Sequence, residues 1–193
     1  MGLQQDVTGF EYKSNRHESP FETFLRYTNE KEKAADKLAG ILRSVADDAT
    51  ILDVGTGNGE NLSLALSKAG RLANLRLTLV EPSRDLVQQL LDTLVSFVPA
   101  ARMHVINSRF EDFLTNERFD LILASHLFYH IHHTTWPQQL EKMLGLLKPH
   151  GRLVIVLREK DDAYDFKMVF KSRLFNENFR ALTIDDVLAD AQR

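Results

Sequence analysis

The residues best placed to do chemistry lie in the stretch DVGTGNG, where Asp53, Gly55, Gly57 and Gly59 occupy alternate positions after the apolar run ILDV. Glycine permits positive φ and lets a backbone approach a ligand closely. The amides of a helix N-terminus that follows such a turn favour electron-rich groups. The stretch therefore predicts a cradle for a small molecule.

A second carboxylate, Glu81, ends the apolar run in LVEPS, where it could accept hydrogen bonds from both hydroxyls of a ribose. Carboxylates in this position occur in both dinucleotide and nucleoside sites, so the glycine spacing has to discriminate between them. The dinucleotide fingerprint is G-x-G-x-x-G, whereas this chain has G-x-G-x-G with Glu60 at the position of the third dinucleotide glycine. The spacing disfavours a nicotinamide-dependent oxidoreductase.

The segment SHLFYHIHH supplies candidates for acid–base chemistry: Ser125, His126, Tyr129 and His130. Imidazole exchanges protons near neutral pH, so His126 or His130 could orient or deprotonate an acceptor. Alternatively, these histidines cap the next helix or line a pocket wall. The sequence supplies no evident carboxylate partner nearby, and we predict no metal site.

Composition limits the classes of function. The chain has 193 residues, a net charge of -3 and no cysteine, which excludes disulfides, thiol nucleophiles and cysteine–metal sites. A duplex nucleic-acid binder usually has a basic surplus, so nucleic acid is an unexpected partner. No apolar run approaches the roughly 20 residues of a membrane span, and the polar N-terminus is not a secretory signal. We expect a cytoplasmic protein.

Alternating strand-like and helix-like segments must position these residues. Five short runs rich in Val, Ile and Leu are predicted as strands buried on both faces: 50–55, 75–81, 102–107, 119–125 and 152–159. Three apolar stripes are predicted as helices: Leu38, Ile41, Leu42 and Val45 after Asn29; Leu86, Leu90 and Leu94 after Ser83; and Leu140, Met143, Leu144 and Leu147 after Thr135. This order predicts a doubly wound, mainly parallel α/β sheet with helices on both faces.

Five blocks in this order resemble the class I S-adenosylmethionine-dependent methyltransferase family over residues 51–157: D-x-G-x-G-x-G, an acidic residue closing the second strand, SRFEDF, FDLILASHLFYHI and LLKPHGRLVIV. One departure is His150, where the family often has a second glycine. A looser similarity of FLRYTNEKE and VEPS is to methyltransferases of the histamine N-methyltransferase type. The resemblance implies a Rossmann-like fold.

The resemblance also implies a reaction and a cofactor site. S-adenosylmethionine would be the cofactor and S-adenosylhomocysteine the product. Methyl transfer to a small-molecule acceptor would be an in-line displacement, assisted mainly by proximity and orientation. The implied cofactor-binding residues are Asp53, Gly55, Thr56, Gly57, Gly59, Glu81, Pro82, Ser83, Arg109, Phe110 and Ser125. Among them, Glu81 would bind the ribose, and Arg109 and Phe110 would flank the adenine partly through backbone groups.

On the acceptor side, the resemblance places His126, His130 and Tyr12. Tyr12 belongs to an N-terminal segment that would fold over the cofactor as a lid, although the same segment reads equally well as a plain packing helix. The metal-dependent branch of the family needs acidic ligands around the fourth strand, where this chain has Ser125 and His126.

We predict one domain over residues 1–193, with a lid and leading helix in 1–48, a cofactor-binding core in 49–160 and C-terminal helices in 161–193. The family's sheet normally finishes with an antiparallel hairpin, which is missing from this pattern. We expect a truncated chain or an open sheet edge that could pair in a dimer. The alternatives left open are a degenerate cofactor-binding or interaction subunit and a methyltransferase for nucleic acid or protein.

Overall fold

A computed structural model of the chain describes residues 30–70 and 74–157. The predictions for Tyr12, the N-terminal lid, Asn29, the C-terminal helices and the missing hairpin concern residues outside these ranges. Every other residue of the predicted site lies within them.

In the described residues the core is a five-stranded sheet in the order β3-β2-β1-β4-β5 in which all neighbours pair in parallel. The strands are β1 Thr50–Val54, β2 Arg76–Val80, β3 Met103–Ile106, β4 Phe119–Ser125 and β5 Leu147–Val156. The chain reverses its direction of travel across the sheet between β3 and β4. This order confirms the predicted doubly wound parallel sheet and places its switch point between β1 and β4, where such sheets bind ligands.

In the part of the chain that the structure describes, four helices connect the strands or precede them: α1 Glu30–Leu42, α2 Glu60–Ala69, α3 Arg84–Leu94 and α4 Trp136–Gly145. Short 3₁₀ turns occupy Ala100–Arg102, Leu127–His130 and His133–Thr135. The predicted N-cap of α3 is confirmed, because the Ser83 hydroxyl accepts a hydrogen bond from the Leu86 amide at 3.4 Å. Within 30–70 and 74–157, none of the helices is both long and apolar enough to span a membrane.

The two faces of the sheet carry separate apolar clusters because side chains alternate along each strand. Ile51 and Leu121 belong to one cluster, which they share with buried residues of α1, α2 and α3. Leu52 and Ile122 belong to the other cluster, which is covered by α4. Helices on both faces explain why the strands read as continuous apolar runs.

The predicted end of the helix that the structure shows as α4 is wrong. Leu147 is the first residue of β5 instead of the last residue of the helical stripe, whereas Leu144 is helical but 57% exposed. β5 also begins before the predicted residue 152, because Leu147 already pairs with Phe119 of β4, and the pairing register then shifts before Leu121 pairs with Arg152. His150 adopts a positive φ of 67° in this irregular segment, which accounts for a glycine at this position in the family pattern.

Candidate functional site

The glycine turn links the end of β1 to the start of α2. Gly55, Gly57 and Gly59 all have positive φ, at 69°, 64° and 82°. The Gly55 amide donates to the Val80 carbonyl at 2.8 Å, and the Thr56 amide donates to the same oxygen at 3.3 Å. The turn is therefore held against the carboxyl end of β2, as expected for a ligand cradle.

The three glycines differ in what a side chain would meet. A Cβ on Gly57 would have no heavy atom within 4 Å, so this backbone faces open space that a ligand can enter. A Cβ on Gly55 would lie 2.8 Å from Leu127 Cδ1, and one on Gly59 would lie 2.8 Å from Leu90 Cδ1. Gly59 thus allows α3 to pack against the turn, while Gly57 offers a surface that suits a cofactor.

Glu81 connects this turn to the end of β2. Its side chain is only 6% exposed. Oε2 accepts a hydrogen bond from the Gly57 amide at 2.9 Å, and Oε1 accepts one from the Ser83 amide at 2.9 Å. Since a carboxylate can accept about four hydrogen bonds, each oxygen retains capacity for a ligand hydroxyl.

Asn107, which the sequence analysis missed, extends the connection to β3. Its Nδ2 donates to the backbone carbonyls of Glu81 and Pro82, each at 2.9 Å. The Glu81 amide also donates to the Ile106 carbonyl at 3.0 Å. A polar residue at the carboxyl end of a predicted strand was the available signal, because carboxyl ends of parallel strands meet at one edge of the sheet.

Asp53 lies beneath the turn and is 5% exposed. Burial raises the pKa of its carboxyl from 3.8 to about 6, the Thr56 hydroxyl partly opposes this, and the charge of Glu81 adds to it. Two carboxyl groups at the carboxyl ends of adjacent strands therefore contribute to one electronegative site.

The end of β4 carries the predicted acceptor-side residues. Ser125 Oγ lies 3.5 Å from Asn61 Nδ2, which reaches it from the first turn of α2. His126 has a positive φ of 56°, and its ring stacks on that of Tyr129 with centroids 5.8 Å apart. His130 ends the 3₁₀ turn and is exposed. Asn61 was also missed, because it follows the glycine motif without belonging to it.

The segment after β3 holds the predicted adenine-side residues. Arg109 is exposed, whereas Phe110 is 3% exposed and packs its ring in the cluster beneath α4. Lys142 lies 4.6 Å from the Phe110 ring centroid and donates to the carbonyls of Phe110 and Glu111. The Phe110 side chain is thus a core residue, and its backbone is the part left for the predicted adenine contact.

The geometry joins Gly57, Glu81 and Ser83 by direct hydrogen bonds and places Asp53 close enough to sense the charge of Glu81. Ser125 and His126 lie at the end of β4, beside β1 in the sheet. No group of three or more His, Asp or Glu side chains in the described ranges is arranged to hold a metal ion.

Solved structures share this architecture at low sequence identity. The N-methyltransferase NodS from Bradyrhizobium japonicum WM9, in complex with S-adenosyl-L-homocysteine, superposes with a TM-score of 0.66 at 14% identity, covering 90% of this chain and 79% of NodS. The 1,6-didemethyltoxoflavin-N1-methyltransferase from Burkholderia thailandensis gives 0.55 at 21% identity, covering 72% and 56%. Coclaurine N-methyltransferase gives 0.54 at 20% identity, covering 65% and 35%. These likenesses establish the fold.

Comparison of the sequence with proteins of curated function gives no match. A family model described as "Methyltransferase domain" matches residues 21–184, well over half of the chain. The match runs through the glycine turn, Glu81 and the end of β4. The chain therefore belongs to the methyltransferase domain family, which confirms the resemblance to class I S-adenosylmethionine-dependent methyltransferases.

Proposed function

We propose that this chain catalyses S-adenosylmethionine-dependent methylation of a small-molecule acceptor. The observation that carries the proposal is the hydrogen bond between Glu81 and the Gly57 amide. It places a buried carboxylate beside a glycine backbone that faces open space. That combination suits a nucleoside, whose ribose hydroxyls need an acceptor and whose body needs close backbone approach.

The residues of the turn would hold the nucleoside part of the cofactor. Glu81 would accept hydrogen bonds from the ribose hydroxyls, and the backbone near Gly57 would lie against the ribose and the methionine chain. Pro82, Ser83 and the backbone of Arg109 and Phe110 would border the adenine. When bound, S-adenosylmethionine supplies an activated methyl group, so the protein has mainly to align the reactants and exclude water.

The acceptor would lie at the end of β4. Ser125 ends the strand that neighbours β1, His126 follows it, and the His126 ring is held against Tyr129. A histidine so placed can orient an acceptor or take a proton from it. We assign His126 and His130 to the acceptor side on this basis.

Two observations favour a small molecule over a polymer. The chain has a net charge of -3, which is unfavourable for contact with a phosphate backbone. Among the structural neighbours, one is bound to 1,6-didemethyltoxoflavin and another to N-methylheliamine, and both ligands are small molecules. The acceptor atom is left open.

Calorimetric titration with S-adenosylhomocysteine tests the cofactor site. We expect micromolar binding by the wild type and no binding of NADH. Glu81→Ala should weaken the affinity for S-adenosylhomocysteine on the order of 100-fold, because hydrogen bonds to a charged group are lost. Glu117→Gln, which changes an exposed glutamate ahead of β4, is the matched control and should bind as the wild type does. Unchanged affinity in Glu81→Ala would reject the site.

A methylation assay tests the acceptor class. The protein is incubated with methyl-labelled S-adenosylmethionine and, separately, with mixed small amines and hydroxyl compounds, with RNA and with protein. Label transferred to the small-molecule pool supports the proposal. Label found only in RNA or protein contradicts it, and binding without transfer to any pool points to a degenerate cofactor-binding subunit.

A further inference from the structure

We infer that Asn107 is a positioning residue that aligns the Glu81 carboxylate for the ribose of the cofactor. This inference rests on the proposed cofactor site and adds a residue to it. The observation is the pair of 2.9 Å hydrogen bonds from Asn107 Nδ2 to the backbone carbonyls of Glu81 and Pro82.

The contacts of Glu81 show what Asn107 controls. The Glu81 amide donates to Ile106, its carboxylate accepts from Gly57 and Ser83, and its carbonyl accepts from Asn107. β2 itself ends at Val80 and the Glu81 amide still bonds to β3, so only beyond Glu81 do the backbone hydrogen bonds of the sheet no longer determine the backbone direction. Asn107 takes over this role, because one amide group holds two successive carbonyls.

The chemistry of the side chain suits this role. The two hydrogens of an amide nitrogen can satisfy two carbonyls at once. Asn107 directly follows β3, whose pairing with β2 is regular from Leu77 to Val80, so its position is set by the sheet. Its side chain is exposed, and replacing it removes little core packing.

The consequence is preorganisation. A carboxylate that already points toward the ribose site does not have to be ordered when the ligand binds, and this lowers the cost of binding. Without Asn107, the Glu81–Pro82 backbone can turn, and the carboxylate can satisfy the Gly57 and Ser83 amides in other orientations. Binding should then become less sensitive to the ribose hydroxyls.

The test compares S-adenosylhomocysteine with its 2′,3′-dideoxyribose analogue by calorimetry. We expect the wild type to favour the ribose form on the order of 100-fold, and Asn107→Ala to reduce this preference roughly tenfold. Asn107→Asp keeps the size but directs an acceptor oxygen at two carbonyls, so it should reduce the preference at least as far. S-adenosylhomocysteine carries no net charge, so the added negative charge neither attracts nor repels it appreciably.

The matched control is Asn74→Ala. Asn74 is an exposed asparagine that donates to Asp47 at 2.6 Å, and it precedes the amino end of β2, at the opposite edge of the sheet. We expect it to keep the full ribose preference. Thermal melts of every variant separate loss of fold from loss of alignment.

The outcomes separate the inference from the proposed function. If Glu81→Gln abolishes the ribose preference and Asn107→Ala reduces it, both stand. The inference is overturned if Glu81→Gln abolishes the ribose preference while the Asn107 variants keep that preference. The same conclusion follows if the Asn107 variants lose affinity for both ligands by the same factor, because Asn107 then has only a structural role. If Glu81→Gln keeps the ribose preference, the proposed site is wrong and the inference falls with it.

Discussion

At the scale of single residues, the site is defined by carboxylates under different constraints. The Glu81 carboxylate accepts hydrogen bonds from two backbone N–H groups. In the described residues, Asp53 has no comparable pair of backbone N–H donors. Burial is the main reason that its pKa is raised to about 6, and the hydrogen bond from Thr56 partly opposes this rise. Removing an ionisable carboxyl from water is costly unless hydrogen bonds compensate. Asp53 is therefore a carboxyl of the folded site whose pKa is raised by burial to about 6.

Asp53→Asn should change how stability depends on pH. Because the pKa of Asp53 is raised from 3.8 to about 6 in the folded state, its contribution to stability is present below pH 4 and is lost as pH rises through 6. The asparagine side chain that replaces it cannot ionise. Relative to the wild type, Asp53→Asn should gain up to about 3 kcal/mol in free energy of unfolding between pH 4 and pH 7.5, measured by urea denaturation.

Asp120→Asn is the control of opposite sign. Burial alone would raise the pKa of Asp120, but its bonds with Lys148 and Thr50 outweigh burial and lower it. The pKa of Asp120 is lowered from 3.8, so the stability it contributes is lost only as pH falls below about 4. The difference in stability between Asp120→Asn and the wild type should therefore stay nearly constant from pH 4 to pH 7.5 and should shrink at lower pH. A flat difference between Asp53→Asn and the wild type would contradict the pKa assignment.

At the scale of elements, the glycine motif has two roles that its regular spacing does not distinguish: one glycine faces open space and another allows a helix to pack closely. Gly57 faces open space, and Gly59 lies against Leu90 and Leu94 of α3, where a Cβ would be 2.8 and 3.3 Å from the nearest side-chain atoms. Interiors are packed closely enough that one added methyl group is felt. The second and third glycines should therefore respond differently to the same substitution.

Gly59→Ala should destabilise the fold by about 2–4 kcal/mol, from overpacking against α3 and from strain at positive φ. Its folded fraction should still bind S-adenosylhomocysteine with near wild-type affinity. Gly57→Ala has the strain without the clash, so it should cost only about 1–2 kcal/mol in stability but weaken binding, because the methyl group enters the ligand space. Denaturation and calorimetry on both variants provide the comparison. Equal loss of affinity in the two variants would show that Gly59 also contacts the cofactor.

At the scale of the whole molecule, stability should be graded across the sheet. β1 pairs with both β2 and β4, and Ile51, Leu52 and Val54 are fully buried. β3 stands at the end of the described strand order, pairs with β2 and has no fully buried residue. Local opening requires less free energy where fewer contacts are broken.

Hydrogen exchange followed by mass spectrometry should resolve this gradient. After correction for intrinsic rates, amides of Thr50–Val54 should exchange near the rate of global unfolding, and those of Met103–Ile106 considerably faster. Saturating S-adenosylhomocysteine should slow exchange in the segment around Glu81 and Asn107, because bound ligand stabilises the folded state. Faster exchange in β1 than in β3 would show that the sheet does not open from this edge.

The sequence by itself determined the architecture and led to the proposed cofactor contacts. Apolar runs of strand length, alternating with amphipathic helices, are enough to specify a parallel sheet covered on both faces. The positive φ of the glycines and the Ser83 cap follow from local chemistry, and both predictions were confirmed. The helix prediction failed at Leu147, which begins β5, and the predicted buried stripe failed at Leu144, which is helical but exposed.

Only the tertiary structure decided which chemically similar residues do different work. No spacing rule distinguishes Gly57 from Gly59, because the difference lies in whether α3 or open space is opposite. Likewise, Asn107 and Asn61 acquire their partners from strands and helices distant in the chain. A sequence encodes the conformation that each residue prefers, but the neighbours of a side chain are chosen when the strands align, and the function of a site depends on those neighbours.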